Sequence, residues 1–144
     1  MEELYVKLIE LLEQVGDIRY IDMDIGQLNE EVPPLSYPAC LIDIALPSCS
    51  DIQSDIQQVS AIFSVKVITK SIGETNSLTP EQVRAKSLEY LSLQDKVYKK
   101  LQGYEDSSFY SFSRKSVQPS NLRKDLKISV LTFETSFHDY TASS

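Results

Sequence analysis

Residues 59–68, VSAIFSVKVI, place an apolar side chain at every odd position: Val59, Ala61, Phe63, Val65 and Val67. The even positions carry Ser60, Ile62, Ser64, Lys66 and Ile68. A period of two sends successive side chains to opposite faces of a strand. The stretch therefore predicts one long strand, its odd face the floor of a core and its even face mixed.

The rest of the chain is read around that strand. Residues 2–15 form an amphipathic pattern in which Leu4, Leu8 and Leu12 recur every four positions. Tyr5, Ile9 and Val15 widen the stripe, and Gly16 can close the helix in the left-handed conformation. DIRYIDMDI (17–25) reads as a short strand or extended segment. GQLNEEVPPLSYP (26–38) reads as a loop with prolines at 33, 34 and 38 and an acidic pair, Glu30 and Glu31. ACLIDIAL (39–46) is apolar except at Asp43, which predicts a central strand covered on both faces. PSCSDIQSDI (47–56) is polar and predicts a loop. The opening strand then starts near Gln57 and reaches about Lys70, closing a long antiparallel hairpin.

SIGETNSL (71–78) is a second polar loop. Thr79, Pro80 and Gln82 carry the signature of a capping box with proline at the first helical position. That predicts one helix to about Leu101, with Val83, Leu88, Leu91, Val97 and Leu101 inward and Gly103 as the stop. At 1.5 Å per residue it would span about 33 Å and could lie across the sheet. SSFYSFSRKSV (107–117) and LRKDLKISVLTFETSF (122–137) predict a second hairpin turning at Gln118–Asn121. In the last strand Leu126, Ile128 and Val130 are even-numbered, whereas Leu131, Phe133 and Phe137 are odd-numbered. Either a bulge shifts the register or both faces are covered, and the bulge is the preferred reading. The fold class is α+β, a single domain over residues 1–144 with a tail from 139 that should fray. A mainly antiparallel or mixed sheet of about four to five strands carries two helices on one face, in the order α-β-β-β-α-β-β.

Composition narrows the function. The 144 residues are 42% apolar and 24% charged, the balance of an ordinary globular chain. No apolar run reaches the ~20 residues of a membrane helix, and the acidic, helix-patterned start lacks a secretory signal, which points to the cytoplasm. A net charge of −7 argues against gripping phosphate backbones. Arg114, Lys115, Arg123, Lys124 and Lys127 cluster late in the chain, most simply as a solvated hairpin face.

Catalytic chemistry finds no foothold. The lone histidine, His138, neighbours Asp139, but adjacent strand residues face opposite ways and cannot form a dyad. Cys40 and Cys49 fit no metal or redox spacing and read as a buried strand residue and a loop thiol. Asp22 and Asp24 would share one face of a strand and could hold a divalent cation or raise one another's pKa, though a solvated edge is the simpler reading. The four glycines are isolated, so no phosphate loop is available. Phe109, Tyr110 and Phe112 lack the glycine-flanked motif of RNA-binding sheets and read as packing residues. The expectation is no enzyme, no cofactor and no metal site.

The sequence of elements as a whole carries a resemblance. The LYVKLIELLEQVGDI helix, the acidic segment, PPLSYPACLIDI, VSAIFSVKVI, TPEQVRAKSLEYLSLQDKVYKKLQG and DLKISVLTFETSF are together similar to the tail-terminator (tail-completion) proteins of long-tailed bacteriophages and prophages, over residues 1–138. The resemblance implies a structural protein that assembles as a hexameric ring, caps the tail tube and joins it to the head. Its implied partners are further copies of itself, tail-tube and head-connector proteins, with no membrane and no stable nucleic-acid complex. Its implied location is the cytoplasm during assembly and then the virion. The polar loops 47–56 and 71–78 would extend from the ring. Asp51, Asp55, Glu30 and Glu31 would face its opening, with Arg123, Lys124 and Lys127 turned away. Ile62 and Ile68 on the mixed face would meet a helix or a neighbouring subunit. Two other readings stay open: a non-phage interaction module dimerising through its sheet, and a carboxylate-metal enzyme at Asp22 and Asp24.

Overall fold

A computed structural model describes residues 1–71 and 73–143. Its elements are α1 (Glu2–Glu13), β1 (Tyr20–Met23), β2 (Ala39–Gln53), β3 (Ile56–Lys70), α2 (Glu81–Ser87), α3 (Glu89–Leu101), β4 (Ser113–Ser120) and β5 (Leu126–Asp139). Short 3-10 turns occupy Gln27–Asn29 and Thr141–Ser143. The five strands form one mixed sheet in the order β1-β2-β3-β5-β4. Only β1 runs parallel to its neighbour; the other pairs are antiparallel. The chain is therefore α+β in the expected element order.

The alternation in residues 59–68 does what it predicts. Val59, Ala61, Phe63, Val65 and Val67 are buried on one face beside Cys40 and Ile42 of β2 and Leu131, Phe133 and Phe137 of β5. α1 lays Leu4, Leu8, Leu11 and Leu12 on this floor, and α3 adds Leu93, Val97 and Leu101. Phe63 sits at the centre, stacked on Phe133 with 5.2 Å between ring centroids and edge-on to Phe112 at 5.0 Å. Each such side chain contributes about 1.5–3 kcal/mol by leaving water. Gly16, at φ 87°, turns the chain from α1 toward β1 in a conformation that other residues rarely adopt.

Four expectations need correction. Residues 47–53 are not a loop: β2 runs on to Gln53, and only Ser54 and Asp55 turn before β3 begins. Cys49 is accordingly an exposed strand residue rather than a loop thiol. The long helix is broken at Leu88 into α2 and α3, and Pro80 rather than Thr79 stands at the N-cap, with no side-chain capping bond. Leu93 takes the inward place assigned to Leu91, which is 41% exposed, while Val83 is 45% exposed. The second hairpin turns later than expected, because Gln118, Pro119 and Ser120 still pair with β5.

The fourth correction concerns the phase change in β5. Its pairing with β3 is unbroken from Gln57↔Asp139 to Lys70↔Leu126, so no bulge lies there. The register shifts instead in β4, between Arg114 and Ser116, and in β2, between Ala45 and Ser48. β5 changes phase because both faces are covered at its start. Leu126 and Ile128 join Leu28, Ala39, Leu41 and Ile68 in a second, smaller core on the opposite face. At the other end Asp139 still pairs with Gln57, and Thr141–Ser143 form the 3-10 turn.

Candidate interaction surfaces

The second core is roofed by a strap, residues 24–38, that leaves β1 and crosses the even face before entering β2. Leu28, Leu35 and Tyr37 seal it from above. Its polar fixings are specific. Asp24 accepts from Lys66 Nζ at 2.6 Å and from the Gly26 amide at 3.1 Å. Burial raises the Asp24 pKa, but the Lys66 hydrogen bond, the Gly26 amide and the Lys66 charge together hold it below the ordinary value. Gln27, buried, donates to the Met23 carbonyl at 2.9 Å and accepts from the Ile25 amide at 2.9 Å.

Arg123 closes the far side of the strap. Its guanidinium donates to the carbonyls of Leu28 (3.2 Å), Glu30 (2.6 Å) and Glu31 (2.8 Å). The same fork holds the Asp125 carboxylate at 3.0 and 3.1 Å. A planar group with five donors suits this work, and lysine could not reproduce it.

These contacts locate the residues singled out in the sequence. Ile68 is fully buried beneath the strap, so it meets its own chain and not a neighbour. Ile62, half-buried, lines a shallow depression with Ser60, Lys115 and Glu134. Glu30 and Glu31 are exposed at the strap, where their backbone carbonyls accept from the Arg123 guanidinium. Asp51 and Asp55 lie at the opposite end of the sheet, Asp51 accepting from Gln57 at 3.0 Å. A fifteen-residue strand is about 50 Å long, so the two acidic pairs form no single patch. The basic residues are likewise dispersed: Arg114 lies 3.7 Å over the Tyr98 ring and Lys127 5.8 Å over Tyr90.

Asp22 and Asp24 lie close together but are separately occupied. Asp22 accepts from the Tyr20 hydroxyl at 2.8 Å and the Met23 amide at 2.7 Å, while both Asp24 oxygens are bound as described. Among the described residues no three His, Cys, Asp or Glu side chains gather in a metal-holding group. Asp139 turns its carboxylate to Thr141, and His138 lies between the rings of Tyr110 and Tyr140, each 6.3 Å away. Among the described residues no helix is long and apolar enough to cross a membrane.

What the molecule does present is backbone. β1 pairs only with residues 39–42 of β2, so the outer edge of β2 from Asp43 to Gln53 faces no strand among the described residues. β4 forms the opposite edge. Pro47 and the adjacent register shift blunt the β2 edge part-way along, as soluble proteins do to limit uncontrolled pairing. Sequence reasoning missed this surface because residues 47–53 carry no alternation.

Neither a protein-family model nor a curated protein sequence matches the chain. A chain of a solved virion, that of a native gene transfer agent (GTA) particle, matches at a TM-score of 0.54 and 12% identity. The match covers 94% of this chain and 92% of that one. The likeness is one of fold. Because coverage is near complete on both sides, what this chain has in common with the GTA virion chain is the whole α+β architecture and not a local motif.

Proposed function

We propose that this chain is a non-enzymatic structural subunit of a phage-like particle and, more narrowly, a tail terminator. In that role copies of it, six in the resembled family, close a ring that caps the tail tube and joins it to the head. The observation that carries the reading is the near end-to-end fold match to a chain of a GTA virion. The surface is consistent with it: uncovered strand edges lie on both sides of one sheet, and the one carboxylate pair considered for catalysis is already spent on Lys66, Gly26, Tyr20 and Met23. In this reading Asp51 and Asp55 at the hairpin end, and Glu30 and Glu31 at the strap, offer negative charge toward passing DNA. Ile62 is the apolar group offered to a neighbouring copy. Tail-tube and head-connector proteins are the further partners.

The test is particle mass by light scattering across a concentration series, with and without a tail-tube protein. Oligomers that grow with concentration or with the tube partner are expected. Monomer throughout, in both series, would count decisively against a ring.

A further inference from the structure

Residues 73–87 make an arm in which Thr79 and Ser87 are the buried residues. Its α2 buries a single side chain, Ser87, out of seven residues. A helix so short is marginal without packing. Leu78 is 94% exposed, more than any other large apolar side chain described, and Val83 lies half open nearby. The arm is nevertheless internally ordered. The Leu78 amide donates to Asn76 Oδ1 at 2.9 Å and the Thr79 amide to the Asn76 carbonyl at 3.1 Å. A Cβ on Gly73 would come within 2.7 Å of Ser87 Oγ and 3.2 Å of Val83, so the loop is folded tightly back on α2. Leu78 is thus presented on a preorganised turn, which lowers the entropy cost of docking it.

At the other end of the sheet a groove of about 920 Å³ opens between the first turns of α1 and the end of β5. Met1, Val6, Leu46 and Phe137 give it apolar walls. Glu2, Glu3 and Asp139 stand along it; of its cations, the Met1 ammonium acts on Asp139 and Lys7 is paired with Glu10 at 3.1 Å. The arm's cations, Arg84 and Lys86, follow Val83 in the last turn of α2, and Glu81 stands in its first turn. None of Glu2, Glu3, Arg84 and Lys86 forms an ion pair among the described residues.

We infer that the arm of one copy docks into this groove of a second copy, with Leu78 entering the apolar floor and Arg84 and Lys86 meeting Glu2 and Glu3. The inference rests on the proposed self-assembly and names its contact. The two surfaces differ and lie at opposite ends of the molecule, so the contact is heterologous: each copy gives an arm and receives one, as a ring requires.

The experiment uses the full chain. Leu78→Asp disables the arm and Val6→Lys the groove; should Val6→Lys fail to fold by circular dichroism, Glu3→Lys at an exposed position replaces it. Either variant alone is expected to weaken self-association about tenfold or more in sedimentation velocity. Mixed in equal amounts, the two share one intact arm and one intact groove, so a heterodimer and nothing larger is expected. Wild-type-like oligomers from either variant, or no heterodimer in the mixture, overturn the contact and leave the proposed assembly standing. A wild-type chain that remains monomeric up to about 1 mM, both with and without a tail-tube protein, overturns both.

Discussion

Lys66 occupies the one charged position in VSAIFSVKVI, and its partner Asp24 is 42 residues away in sequence. The pair lies at the rim of the second core, with the Asp24 side chain only 15% exposed. Lys66→Met should keep the stem packed while stripping Asp24 of its counter-charge, at a cost of about 1 kcal/mol. The sign with pH is fixed. Asp24 has its pKa depressed below 3.8 in the folded protein, so its contribution is present above that value and lost as pH falls through the folded pKa. In urea titrations the wild type should exceed Lys66→Met at pH 7, and the difference should close in acid below the ordinary carboxylate range. The cysteines make a second residue-level contrast. Burial pushes the Cys40 thiol up to about 12, whereas Cys49 is exposed. A disulfide reagent should titrate one thiol per chain under native conditions and a second only after unfolding. Two rapid equivalents in the native protein would contradict the burial of Cys40.

Among the elements, the strap shows what Arg123 is for. Arg123→Lys keeps the charge but loses the fork that holds three carbonyls, so amide exchange across residues 26–38 should quicken while α3 stays protected. Equal exchange in the two proteins would show that the apolar contacts of Leu28 and Leu35 suffice. How far the elements were legible follows from what each one buries. β3 could be read directly because one face is wholly apolar, and α1 because its leucines repeat at helical spacing. Residues 47–53 could not, since a strand exposed on both faces needs no alternation and is held by hydrogen bonds to β3 alone. The capping signature at Thr79 misled because the helix breaks again at Leu88, leaving α2 too short to carry an inward stripe. The fate of Ile68 was hidden for another reason: nothing in an apolar residue on a mixed face says whether a loop of the same chain will cover it.

At the scale of the whole molecule, the net charge of −7 sets how the protein meets DNA. Acidic groups stand at both ends of the sheet, and two of the late basic residues lie over tyrosine rings. Repulsion from such a surface is felt over a Debye length of about 8 Å at physiological salt, which favours passage over retention. Duplex DNA titrated by fluorescence anisotropy at about 0.15 M salt should show no binding. A submicromolar, salt-sensitive affinity would reverse that view and return attention to Arg114, Lys115 and Lys124. The unbroken pairing of β3 with β5 carries a consequence in time. It joins Lys70 to Leu126 and Gln57 to Asp139, a closure over roughly 55 to 80 residues that local hairpins do not require. While the chain is being made, β2 and β3 can pair as soon as both emerge, but the strand that flanks Phe63 is the last one synthesised. At roughly 5–20 residues per second, the growing chain carries the apolar face of β3 without β5 for several seconds. Over that interval the nascent protein is a client for a chaperone, and a ribosome that stops short of Leu126 releases a sticky half-sheet.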